Sequence, residues 1–96
     1  MNINLENIAL NGELVFTTVS HIAPKFVEQI QQSSANIFEV NMKNVSKADS
    51  SALALMLEGI KCAFKAGKKL SYHNIPTNLL NLAKFCSLED LILNKE

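Results

Sequence analysis

The chain has 96 residues, nine lysines against nine acidic residues, no arginine, and a formal charge of zero. With 48% hydrophobic and 19% charged residues, it has the composition of one globular domain with a single core and no room for a second. Arginine supplies the bidentate grip on phosphate and on guanine edges, so its absence argues against a nucleic-acid partner.

Residues 1–6 are neither basic nor continuously apolar, so no signal peptide is expected. No apolar run approaches the ~20 residues that cross a bilayer. A cytoplasmic protein is expected, without direct membrane insertion, reaching a membrane only through partners. From residue 3 to residue 10 the apolar positions alternate imperfectly, and Asn11-Gly12 is a turn signal. This predicts a hairpin, with a second strand from Glu13 to Val15 or Thr17 antiparallel to the first. A helix is predicted over 20–33, where Ile22, Phe26, Val27 and Ile30 share a face and Pro24 fits the first turn. The β-prone run 37–42 predicts a central strand, and a polar loop follows it.

Residues 50–66 predict a long helix with Leu53, Met56, Leu57, Ile60 and Phe64 as its apolar stripe; Leu55 extends the buried arc, and Gly67 stops the helix. A strand over 69–73 follows, then a helix opened by Pro76 and running to about Cys86, with Leu79, Leu82, Ala83 and Cys86 inward. Leu91-Ile92-Leu93 reads as a last short strand or a tail. Strands alternating with helices give an α/β fold with right-handed crossovers.

Little in the chain points to catalysis. His21 and His73 stand in no motif with a nucleophile, and glycines at 12, 59 and 67 make no phosphate-binding loop. Cys62 and Cys86 read as buried thiols of a reduced compartment, too few for a zinc site with the two histidines. No metal or cofactor is expected, and the protein is not read as an enzyme. Lys61, Lys65, Lys68 and Lys69 read as a solvated face near a helix C-terminus.

The most informative stretch is Lys47-Ala48-Asp49-Ser50-Ser51-Ala52-Leu53, where a strand hands over to the long helix. Asp and Ser oxygens accept hydrogen bonds from the unpaired N–H groups of a helix start. Asp49 is therefore a cap. Ser50 is either an ordinary first-turn residue or a hydroxyl presented to a partner. Lys47, Ala48 and Ser51 flank that tip, and Thr18 and His21 enter the preceding helix.

Asp49-Ser50-Ser51-Ala52-Leu53, with Asn11-Gly12-Glu13-Leu14 before it and Ala66-Gly67-Lys68-Lys69-Leu70 after it, resembles the STAS domain family over most of the chain. The resemblance implies a single STAS domain over 1–96: a mixed β-sheet with an N-terminal hairpin and helices packed against it. Leu53-Ala54-Leu55-Met56-Leu57 and the segment from Asn81 to Leu88 resemble the MlaB-type STAS subunits of phospholipid-transporting ABC complexes. That implies an ATPase-subunit partner, and through it the permease, at the inner membrane. In that group a threonine takes the place of Ser50 at the ATPase interface. Anti-sigma-factor antagonists are also similar; there the serine after the Asp is phosphorylated by a partner kinase, which makes Ser50 the candidate phosphorylation site. They usually carry glycine where this chain has Ala52, and alanine implies a regular helix start.

Overall fold

A computed structural model describes residues 4–93. Its elements are β1 Leu5–Ala9, β2 Gly12–Leu14, α1 Phe16–Gln32, β3 Ile37–Asn41, β4 Val45–Ala48, α2 Ser50–Lys65, β5 Lys69–His73, α3 Thr77–Phe85 and α4 Glu89–Ile92. Three strands form a sheet in the order β1-β3-β5, and β2 pairs with β4 separately. Every one of these pairings is parallel.

The α/β reading holds, but the expected hairpin does not: β1 and β2 take their partners from β3 and β4 instead of from each other. Leu10 N–H donates to the Asn41 carbonyl and Gly12 N–H to that of Asn44. Residues 5–14 thus run beside residues 37–48 as one bent parallel ribbon. The bend is at Gly12, whose φ of +77° favours glycine. Strand β4 was not foreseen, because Val45-Ser46-Lys47-Ala48 is half polar and largely open to solvent.

Period 2 decides the faces of the main sheet. Phe38 and Val40 of β3, Leu70 and Tyr72 of β5, and Ile8 of β1 are buried on one face, against the helices. The other face carries Asn7, Glu39, Asn41 and His73, and His73 Nε2 lies 3.9 Å from Glu39 Oε2. Helix α2 comes closest to α1 and β5 at Gly59, where Phe26 and Tyr72 leave no room for a Cβ; Ala52 and Ala63 are also buried, with Leu53, Leu55, Met56 and Cys62. The predicted stripe is therefore rotated. Leu57 and Ile60 are only half-buried, and Phe64 is 82% exposed. Cys86, expected inside, is an exposed free thiol where α3 ends, whereas Cys62 is buried. The C-terminal apolar triplet forms no described strand; Leu91 and Ile92 belong to the short helix α4, with Ile92 fully buried.

Helix α1 starts at Phe16, four residues before the expected start, so Pro24 lies inside it and not in its first turn. Proline has no N–H to give the Ser20 carbonyl, and Ser20 is exposed, where water can replace that donor. The C-terminus of α1 is held from outside the helix. Lys68 Nζ donates to the carbonyls of Ile30 (2.9 Å) and Ser33 (2.6 Å) and lies 5.3 Å from the centre of the Phe38 ring. Lys68 is thus a structural cation, not part of a solvated face. Replacing it by methionine keeps the stem and strips two charged hydrogen bonds from a helix end. Lys68→Met is expected to cost about 1–2 kcal/mol in urea unfolding, against less than about 0.5 kcal/mol for the exposed Lys65→Met.

Candidate functional site

The parallel ribbon brings two helix starts together. Because β2 and β4 point the same way, α1 leaves the end of β2 beside the point where α2 leaves the end of β4. Asp49 N–H donates to the Leu14 carbonyl at 3.3 Å, which carries the ribbon to its last residue. Asp49 is extended at the N-cap of α2, and its Oδ1 accepts from Ser51 N–H at 2.8 Å. Its Oδ2 accepts from Phe16 N–H, the first residue of α1, at 3.1 Å. One carboxylate caps two helices.

Val15, the N-cap residue of α1, has no side-chain acceptor to offer. Thr18 supplies part of what is missing: its Oγ1 accepts from Val15 N–H at 3.0 Å and lies 2.7 Å from the Glu13 carbonyl to which it donates. The Thr18 hydroxyl is therefore engaged within the turn, and the residue is half-buried. His21, one turn further along α1, is exposed.

Ser50 is exposed in the first turn of α2, and Ser51 is half-buried behind it. Lys47 and Ala48 lie on β4 and line a shallow cleft of about 300 Å³ with Val45, Ser46, Pro76 and Asn78. Asn78 Nδ2 closes one side of that cleft by donating to the Ala48 carbonyl at 2.9 Å. Asp49, Ser50, Ser51, Lys47 and Ala48 are thus gathered at one tip, with Thr18 beside it on the adjoining helix start.

Phe16 was not foreseen. It is 80% exposed and is tied through its backbone to the Asp49 carboxylate. A phenylalanine left in water at a helix start is a natural contact residue, since aromatic anchors dominate docking surfaces. The exposed phenylalanines Phe64 and Phe85 stand at the far ends of α2 and α3. The one sequence signal for Phe16 was Thr18, two residues after it, in place to cap the turn.

Partial burial pushes the Asp49 carboxyl upward. The hydrogen bonds from Ser51 and Phe16, helped by the charge of Lys47, outweigh it and hold the group below its ordinary value. Glu6 is also held low, by the Ser33 hydroxyl first, then the Gln29 amide and, more weakly, Lys68, with burial opposing. For both groups the folded pKa lies below the unfolded one, so the unfolded chain binds protons more readily. Their contribution is complete above the unfolded values, near pH ~4, and is lost as pH falls through the depressed folded values. The melting temperature is expected to be level between about pH 7 and pH 5 and to fall below pH ~4. Asp49→Asn and Glu6→Gln should each flatten that fall, and a titration of thermal melts checks it.

Among the described residues no three His, Cys, Asp or Glu side chains group to hold a metal, and no helix is long and apolar enough to cross a membrane.

The STAS domain family model matches residues 5–95. A sulfate transporter family protein from Wolinella succinogenes has a similar structure, with a TM-score of 0.73 and 15% identity over 95% of this chain and 73% of that one. The anti-sigma factor antagonist SpoIIAA in its unphosphorylated form has a TM-score of 0.71 and 23% identity, covering 92% of this chain and 76% of that one. SpoIIAA of Bacillus in its phosphorylated form has a TM-score of 0.68 and 23% identity, over 91% and 78%. At these identities the likeness is one of fold. No curated protein sequence matches the chain.

Proposed function

Because the chain belongs to the STAS domain family, we propose that it is a non-catalytic docking subunit whose partner seats on the tip formed by Ser50, Lys47, Ala48 and the start of α1. The observation that carries this reading is the exposure of Ser50 and Phe16 side by side, on two helix starts fixed by one carboxylate. Two helix starts tied by one carboxylate offer the hydroxyl and the aromatic ring from a fixed backbone, which suits protein recognition because little loop entropy is left to lose on binding.

The partner is the ATPase subunit of a phospholipid-transporting ABC complex, and through it the permease. The Leu53-Ala54-Leu55-Met56-Leu57 run supports this choice, as does the unbroken helix that begins at Ser50 with Ala52 fully buried. ATP use and membrane contact belong to the partners, and the subunit is cytoplasmic, held at the inner membrane by them. A second reading is an anti-sigma-factor antagonist switched by a serine kinase at Ser50. It is favoured by the likeness to SpoIIAA, which has been solved with and without phosphate, and by the Asp49-Ser50-Ser51 order.

The test is capture of the tagged full chain from native extract, with bound proteins identified by mass spectrometry. Recovery of an ABC ATPase with its permease supports the first reading. Recovery of a serine kinase with phosphate on Ser50 replaces it with the second.

A further inference from the structure

Strand β1 ends the main sheet, and among the described residues no strand lies on its outer side. Its parallel register with β3 fixes which backbone groups face that side. The Asn4 carbonyl accepts from Ile37 N–H, and Leu10 N–H donates to the Asn41 carbonyl, so the even residues of the segment serve the sheet. In a parallel pair the alternate residues turn their N–H and C=O groups the other way. Those residues are Leu5, Asn7 and Ala9, and all three are exposed. We propose that this edge is a self-association surface, on which β1 of a second copy of the chain pairs antiparallel about a two-fold axis at Asn7.

The occupant follows from the symmetry and charge of the edge itself. With Asn7 opposite Asn7, Leu5 meets Ala9 of the second copy and Ala9 meets its Leu5. Each such pair exchanges both N–H···O=C bonds, so every outward group of the two strands is used. A patch that complements itself closes as a dimer. An axis at Glu6 would set two carboxylates opposite each other, which is destabilising, and an axis at Ile8 would leave Leu5 facing Asn11, beyond the end of the strand. On the exposed face the pairing covers Leu5, 45% exposed, with an alanine. On the helix-covered face Glu6 meets Ile8 of the second copy, and its carboxylate stays held by the Ser33 hydroxyl and the Gln29 amide. The features that usually keep strand edges apart are missing: residues 4–10 contain no lysine or proline, and the β1–β3 register has no bulge. The opposite edge, β5, carries the exposed Lys69. The tip residues lie beyond the bend at Gly12 and take no part in the pairing.

Sedimentation equilibrium of the full chain over a concentration series tests this. A monomer–dimer equilibrium is expected, and a single-chain mass up to the highest soluble concentration overturns the proposal. Asn7→Pro removes an N–H that the fold does not use, and it is expected to weaken the dimer at least about tenfold. Asn7→Lys keeps every backbone group and sets two like charges opposite each other, with a similar loss expected. It carries the test if the proline variant loses its cooperative melting transition. A dimer of parental strength in either folded variant overturns β1 as its seat. The register is read by disulfide trapping in a Cys86→Ser background, which removes the exposed native thiol. Asn7→Cys is expected to cross-link to its own copy on oxidation, since directly opposite residues lie about 5.5 Å apart, whereas Leu5→Cys is not. The reverse pattern overturns the axis at Asn7. No other protein takes part, so a chain that captures no partner overturns the docking reading and leaves this result standing.

Discussion

Gly59→Ala is expected to lower the stability of the domain by about 2 kcal/mol, although alanine is the better helix former. A Cβ at residue 59 would lie 2.5 Å from the Tyr72 hydroxyl oxygen and 2.6 Å from Cε2 of Phe26. Both neighbours are buried side chains of the core, and burial also pushes the Tyr72 phenol pKa up, so the group stays neutral. The Tyr72 hydroxyl cannot simply retreat, since it donates to the Met56 carbonyl at 2.7 Å. Overpacking of this kind costs about 1–3 kcal/mol, and loosening the tyrosine bond adds about 1 kcal/mol. The gain from replacing a helical glycine offsets about 1 kcal/mol of that. For a domain of this size the melting temperature should drop by roughly 10 °C. Gly59→Val should be worse, because its branches enter the same space. Thermal unfolding followed by circular dichroism decides it; an alanine variant as stable as the parent would refute the close packing of α2 on α1 and β5.

The largest effect on function is expected from Ser50→Asp. The substitution places a charge where the proposed partner docks, and an unpaired charge trapped in an interface costs several kcal/mol. Partner affinity should fall at least about tenfold, and by up to a hundredfold if the site is fully desolvated. The fold should persist, because the new carboxylate sits at a helix N-terminus, where negative charge is tolerated. Ser50→Thr, which keeps the hydroxyl and adds a methyl group, should stay within about threefold of the parent. Titration calorimetry with the captured partner measures both. Equal affinities for Ser50→Asp and the parent would remove the α2 tip from the interface.

How much of this was legible in the sequence follows from the range of each interaction. Asp49 as the cap of α2 was readable, because the N–H it serves is two residues away. Its second role was not, because Phe16 is distant in sequence and Val15 gives no sign of a helix start. The beginning of α1 was therefore placed four residues late, and the exposed phenylalanine was passed over as part of a strand. The hairpin expectation failed for the same reason: Asn11-Gly12 signals a turn, but which strand pairs with which is settled by partners more than thirty residues on. Periodicity found α2 and its extent. It misjudged the buried face because small residues there, Ala52, Gly59 and Ala63, carry little weight in a hydrophobic pattern. Lys68 read as solvent-facing because nothing local shows that it reaches the end of another helix.

The parallel ribbon also bears on the order in which the protein can assemble during synthesis. Each strand pairing joins segments about 32 to 34 residues apart, so among the described residues no sheet contact forms between chain neighbours. Helix α1 is more dependent still: the group that closes its beginning is at position 49 and the group that closes its end is at position 68. A nascent chain ending anywhere before Lys68 carries α1 with at least one end open, and isolated helices of this length are marginal in water. The first half of the molecule thus waits for the second. Folding that depends on distant contacts is slow compared with that of a helical bundle of equal size. Over that interval the apolar face of residues 16–32 stands uncovered, and the vulnerability of this protein is set by the time taken to deliver two side chains.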